Sequence, residues 1–277
     1  MRRTIVAALI IASTSALAPL AAQANPFTVG FEGEAGAVQV LYHTYQVGEA
    51  GTIFDFVKNG GQEILFPFQR YTAIIGILDR HEIRFLYQPL ELATQISARA
   101  AFTVDGVVFD DGEAVDVTYG FPFYRFSYLY DFLDGDAELS AGAALQFRNA
   151  SIRFTSVDGS KRAVSQNLGL VPALAVAGRL PLGDRFFAAF DATGIYASSA
   201  FFNGADFEFE GSILDASLRA GARMGEKLEA YVNYRFVGGS AAGVSQYPSL
   251  YWTQSTEKST ANYLATTSLT IGATLEL

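Results

Sequence analysis

From Leu228 to Phe236 the chain alternates. Leu228, Ala230, Val232, Tyr234 and Phe236 are apolar or aromatic, and Glu229, Asn233 and Arg235 between them are polar. Successive side chains of a strand point to opposite faces, so a period of two predicts a strand with one apolar and one polar face. Leu214, Ala216, Leu218, Ala220 and Ala222 repeat the pattern against Asp215, Ser217, Arg219 and Arg223. Leu269, Ile271, Ala273, Leu275 and Leu277 do so against Ser268, Thr270, Thr274 and Glu276. In two stretches the apolar phase changes midway. Val115, Val117, Tyr119 and Phe121 give way to Tyr124, Phe126, Tyr128 and Tyr130, with Arg125, Ser127 and Asp131 opposite them. Pro122 stands at that switch, where a β-bulge would be tolerated. After Phe147, Ile152 and Phe154 take the apolar phase and Arg153 the polar one, which predicts a second slip.

Short turn-rich gaps alternate with long ones. The short gaps are Asp79-Arg80-His81, Asp134-Gly135-Asp136, Leu182-Gly183-Asp184-Arg185 and Gly225-Glu226-Lys227. The long ones cover roughly 47–61, 99–113, 156–164, 198–209 and 238–260. They separate ten runs, near 27–46, 62–78, 81–98, 114–133, 137–155, 164–180, 185–197, 210–224, 227–238 and 261–277. Ten antiparallel strands with both ends on the short-turn side need four short turns and five long loops. The pattern therefore predicts an all-β fold: a single antiparallel up-and-down transmembrane β-barrel of about ten strands. Eight to twelve remain compatible, because 81–113 could hold an extra hairpin above the membrane. A soluble β-sandwich has no reason to alternate its gap lengths.

Composition narrows the chemistry. The 277 residues are 50% hydrophobic, 14% aromatic and 17% charged, which excludes a disordered chain. With no Cys and two His, disulfide scaffolds, thiolate zinc sites, cysteine nucleophiles and multi-histidine metal centres are excluded. No cofactor is expected. A formal charge of −9 disfavours nucleic acid as a partner. Arg2 and Arg3, the apolar run Ile5 to Ala12 and the small-x-small site Ala22-Gln23-Ala24 have the order of a cleaved signal peptide over 1–24. The mature chain, 25–277, then carries a charge of −11. Its longest uncharged stretch, Phe236 to Thr256, is rich in Gly, Ser and Tyr, so no helical span is expected.

The leader, the ten strands and the alternating terminal strand together resemble Gram-negative outer-membrane β-barrels over the whole mature chain. The last strand looks like the C-terminal signal read by barrel-assembly machinery, with Leu277 at the position where Phe or Trp is usual. The resemblance implies residence in the outer membrane and contact with outer-membrane lipid and lipopolysaccharide. It also implies passage through the assembly machinery.

With the apolar phase toward lipid, the other phase lines the lumen. That places Glu32, Glu34, Arg70, Arg84, Arg125, Asp131, Gln146, Arg148, Arg153, Asp191, Asp215, Arg219, Arg223, Glu229 and Arg235 inside. A barrel of this size is narrow and filled by side chains. Fifteen Arg against four Lys suit an ionic core, because the guanidinium fork pairs a carboxylate in two places. Arg223 and Glu229 flank one short turn and should be cross-strand neighbours. The expected role is structural or surface-interacting. The alternatives are a narrow channel guided by arginines and an enzyme acting on lipid A or phospholipid.

For an enzyme, His43 is the candidate catalytic histidine, with Ser198 or Ser199 as a nucleophile. Otherwise His43 is a polar residue at the outer rim. His81 belongs to a short turn, and Asp110-Asp111-Gly112 reads as a turn before it reads as an acid dyad or a calcium site. Tyr124, Phe126, Tyr128, Tyr130, Phe186 and Phe190 suit an aromatic girdle at the lipid boundary. Tyr247, Tyr251 and Trp252 stand in the last long loop, where they could bind sugar. Gly238-Gly239-Ser240 lacks the strand-to-helix setting of a phosphate cradle.

Overall fold

The computed structural model describes residues 26–48, 50–198, 209–244 and 259–277. Residues 1–24, Ser199, Tyr247, Tyr251 and Trp252 lie outside the described residues. Ten strands close a ring, in chain order β1 (Phe27–Val47), β3 (Leu65–Ile77), β4 (His81–Gln88), β9 (Phe123–Asp131), β10 (Glu138–Ser156), β11 (Arg162–Leu182), β12 (Phe186–Ser198), β13 (Phe209–Arg223), β14 (Leu228–Val244) and β15 (Ser259–Glu276). All neighbours are antiparallel. The ring closes where β1 pairs with β15, from Gly30 opposite Glu276 to Val47 opposite Thr260. Five short strands sit on the long-loop side: β2 (Phe54–Asp55), β5 (Glu91–Ser97), β6 (Phe102–Val104), β7 (Val107–Phe109) and β8 (Ala114–Gly120).

The third and fourth expected strands, 81–98 and 114–133, are each broken once. Pro89-Leu90 separates β4 from β5, and Phe121-Pro122 separates β8 from β9. Above the break, β5 and β8 continue as a flap, with β8 also paired to the outer part of β10 from Ser151–Gly120 to Ser156–Val115. The Phe121 N–H donates to the Leu90 carbonyl at 2.7 Å and bridges the two breaks. The extra hairpin exists as β6 and β7, which pair at the flap's tip without changing the ring of ten.

Neither expected phase slip is present. Val115, Val117, Tyr119, Phe121, Phe123 and Leu129 are buried, and so are Arg125 and Ser127, all on one uninterrupted odd phase. On β10, Ala144, Gln146, Ala150, Ile152, Phe154 and Ser156 are buried on one even phase, while Arg153 is exposed. What changes along each strand is the environment, not the register. In the lower part the outside is apolar and the inside ionic. Higher up the inside becomes an apolar core and the outside faces water. Arg153 therefore points outward and is no part of the lumen. The slip that does occur lies in β1 between Val40 and Tyr42, where Leu41 and Tyr42 are both exposed and His43 turns inward.

That upper core explains why the strands run on. A membrane-crossing strand needs about 9–11 residues, whereas β10 has 19 and β11 has 21. The surplus carries Phe154, which packs against Phe54, Phe56, Phe102 and Phe109 with ring centroids 4.9 to 6.2 Å apart. The flap and the loop bearing Phe54 and Phe56 thus share one aromatic core with the barrel wall.

Candidate functional site: the ionic lumen

At mid-height, inward arginines from β3, β9 and β14 meet on Asp215 of β13. Its Oδ2 accepts hydrogen bonds from Arg70 Nη1 at 2.9 Å and Arg125 Nη1 at 2.8 Å, and its Oδ1 accepts one from Arg235 Nη1 at 2.6 Å. Arg70 Nη1 also donates to Gln88 Oε1 at 2.9 Å, and the Arg125 fork grips Gln146 Oε1 at 3.0 and 2.7 Å. Arg235 Nη2 reaches Glu34 Oε1 at 3.2 Å. Glu34 is further held by Asn233 Nδ2 at 2.9 Å and Thr270 Oγ1 at 3.0 Å. Arg235 is 0% exposed and Asp215 1%. Charges so far from water persist only when paired and hydrogen-bonded, and here each carboxylate oxygen has a donor.

Below this layer Arg219 links Glu32, Glu34 and Asp191, the last at 3.3 Å, and Ser217 Oγ donates to Asp191 Oδ2 at 2.9 Å. A cavity of about 740 Å³ then opens toward the short turns, lined by Glu32, Arg84, Glu138, Arg179, Arg223 and Glu229 among others. Asp215 and Arg235 line neither this cavity nor the small one of about 60 Å³ between Arg70, Arg84 and Arg219. The central layer lies between the cavity at the short-turn side and the outer half of the barrel.

The sequence-derived lumen set therefore divides. Glu32, Glu34, Arg70, Arg125, Gln146, Asp191, Asp215, Arg219 and Arg235 come together at mid-height. Arg84, paired with Glu82, joins Arg223 and Glu229 at the mouth. Asp131 is drawn off, because its Oδ1 accepts the N–H groups of Leu133 and Leu139 at 3.1 and 3.0 Å and so caps the turn. Arg148 lies in the outer half with no carboxylate partner among the described residues, and Arg153 faces out. Arg223 and Glu229 are directly opposite in register, yet their side chains are 3.6 Å apart, and Glu229 is gripped in a fork by Arg179 at 2.9 and 2.6 Å. Arg179 escapes the alternation test because the inward phase of β11 is Ala173, Ala175 and Ala177, which makes both faces read as apolar. These alanines leave room for arginines from opposite walls. Glu229→Ala should strand Arg179, but both groups are partly exposed and solvent screening limits the cost to about 1 kcal/mol. A heat-modification gel should show a drop of a few degrees; one as large as for a mid-lumen variant would contradict this.

His43 is not a rim residue. It is 0% exposed, stacked on Phe56 at 3.9 Å and edge-on to Tyr119 at 4.4 Å, with Nδ1 2.7 Å from Gln62 Oε1. The bulge at Leu41 turns it into the apolar core. Ser198, paired with Glu210 at the end of β12, is not among these contacts. Asp110 binds Lys161 at 2.6 Å, Glu113 binds the same ammonium at 2.8 Å, and Asp111 is exposed. The hydrogen bonds to Asp110 and Glu113 hold the Lys161 ammonium above its usual pKa. This cluster ties the turn after β7 to the turn between β10 and β11. His81 Nδ1 lies 2.7 Å from the Tyr128 hydroxyl.

The outer face of the lower wall decides the setting. Leu174 and Ile271 are each 70% exposed, and Phe126, Leu218 and Tyr234 on other strands are also bare. Such a belt around a closed ring requires hydrocarbon, and a closed barrel satisfies every backbone group inside it. The chain folds as a membrane-spanning β-barrel of the outer-membrane type. Tyr124, Phe126, Tyr128, Phe186 and Phe190 all lie exposed on this barrel's outer face, as a girdle requires.

No family model and no curated protein matches the chain. Among solved structures the barrel is similar to the outer membrane protease OmpT from Escherichia coli, at 10% identity over 91% of this chain and 97% of that one, with a TM-score of 0.48. It is also similar to a Pseudomonas aeruginosa FadL homologue, at 10% identity over 90% of each chain and a TM-score of 0.37. A third is the Pseudomonas putida toluene transporter TodX, at 10% identity over 90% and 89% and a TM-score of 0.33. These likenesses concern barrel form and carry no activity across.

Proposed function

We propose that the protein is a non-conducting outer-membrane barrel that holds a rigid surface element outside the membrane. Residues 1–24 would serve export and be removed, and outer-membrane lipid and lipopolysaccharide would contact the belt. The observation that supports this reading is the Asp215 layer, where three guanidiniums converge on one buried carboxylate at mid-height. The flap built on β5 and β8 supports the second half, since it is anchored by its own aromatic core and by the Lys161 cluster.

Full-length protein in planar bilayers should give no discrete conductance steps. Replacing Arg70 and Arg125 together with Ala should open the layer and produce them. Steady single-channel currents from the unaltered protein would defeat the reading and favour a narrow channel.

A further inference from the structure

The outer half of the barrel is filled unevenly. On the side of β1, β3 and the flap it holds the aromatic core. On the side of β11 to β15 it holds a cavity of about 400 Å³. Gly211, Gly239 and Gly243 place no side chain there, and Ile195, Ile213 and Val237 make its wall apolar. This volume is within the range of small-molecule pockets, which are characteristically apolar with a few convergent polar groups.

Its polar lining includes Glu210, Ser212, Ser240 and Asn262, and its one cation among the described residues is Arg148. The side chain lies across the backbone of β11, where a methyl at Gly169 would come within 2.7 Å of Nε and 3.3 Å of Cγ, so the glycine lets it lie flat. Beside it on the same wall the Asn262 amide donates to the Tyr119 hydroxyl at 3.4 Å. The other inward arginines, Arg70, Arg84, Arg125, Arg179, Arg219, Arg223 and Arg235, each lie within 4.0 Å of a carboxylate. Among the described residues Arg148 has no carboxylate partner, and its buried Nε, like those of Arg70, Arg219 and Arg235, has no hydrogen-bond partner. A guanidinium stays charged at any physiological pH, and a partly buried unpaired charge is costly. Among the described residues the barrel gives every other inward arginine an acid within 4.0 Å and leaves this one facing a chamber walled in part by Ile195, Ile213 and Val237.

We propose that the outer chamber is a binding site for a single-tailed amphiphile with a carboxylate head, the head meeting Arg148 and the tail lying against Ile195, Ile213 and Val237. The anion supplies the missing charge, and the apolar wall supplies the burial. The site would fill from the outer side whether or not the layer below it conducts.

The test uses full-length protein in amphipol, with carbon-13-carboxyl dodecanoate and uncharged dodecanol as probes. Dodecanoate should bind saturably at one site per chain. Arg148→Gln should weaken that binding about tenfold or more, the usual scale for losing a charged hydrogen bond, and leave dodecanol binding unchanged. Ile213→Trp should fill the chamber and abolish both. Retained heat modifiability of Arg148→Gln shows that the barrel is intact, and its comparison with the unaltered protein decides the matter even if Ile213→Trp fails to fold. No saturable dodecanoate binding by the unaltered protein, or equal binding by Arg148→Gln, overturns the proposal.

Discussion

Asp215→Ala is expected to lower the unfolding temperature of the barrel more than any other single lumen substitution. Asp215 accepts hydrogen bonds from Arg70, Arg125 and Arg235 and is itself 1% exposed. Its removal leaves three buried cations, of which Arg235 alone keeps an ion pair, with Glu34 at 3.2 Å and Asp191 at 3.7 Å. Breaking a buried pair by deleting one partner costs on the order of 3–5 kcal/mol. For a chain of this size that corresponds to roughly ten degrees. Asp215→Asn should fall between the two, since it keeps acceptor geometry on one side and loses the charge. The migration of unboiled samples heated stepwise before electrophoresis measures all three. A midpoint for Asp215→Ala within two or three degrees of the unaltered protein would mean that the layer is hydrated and the lumen is not closed there.

Phe154→Ala should have a comparable energetic effect in a different place. The ring is 0% exposed and contacts Phe54, Phe56, Phe102 and Phe109, which come from the loop after β1 and from the flap. Emptying such a site costs about 3–5 kcal/mol. Because the contacts lie above the apolar belt, the loss should fall on the flap, while the ten-stranded ring keeps its hydrogen bonds. Limited proteolysis should then cut within 91–120 in Phe154→Ala and not in the unaltered protein, with heat modifiability largely retained. Loss of the whole barrel would show that flap and ring fold as one cooperative unit. An uncut flap would show that the aromatic core is not what holds it.

The two variants separate the two kinds of interior that one strand can line. On β10, Gln146 and Phe154 share the even phase, yet the first binds Arg125 and the second sits among phenylalanines. Read as sequence, the change from polar to apolar on one phase looks like a one-residue slip. Alternation reports which residues share a face, but it does not report whether water, hydrocarbon or protein lies on that face at a given height. Pro122 strengthened the wrong reading: it does break the strand, but the side chains on either side keep their phase.

The lumen shows a similar division. On β13 and β14 the polar phase is clean, so Asp215, Arg219, Glu229 and Arg235 were legible as inward groups. On β11 the alanines that make space for those side chains hide Arg179. His43 was unreadable for a third reason. A single bulge at Leu41 reverses its face, and nothing in the local residue types marks a bulge there.

The strand number, the order of short and long connections and the membrane-facing phase follow from the sequence alone, because they depend on local periodicity and on turn-forming residues. Which charges meet does not. Arg179 and Glu229 are 50 positions apart, Arg70 and Asp215 145, and Glu34 and Arg235 201. They lie on strands that are not neighbours in the ring. Their contact depends on closure, strand tilt and stagger, which together decide the inward positions that reach the same height across the lumen. Only the closed barrel sets Arg148 against the outer chamber while, among the described residues, every other inward arginine finds an acid.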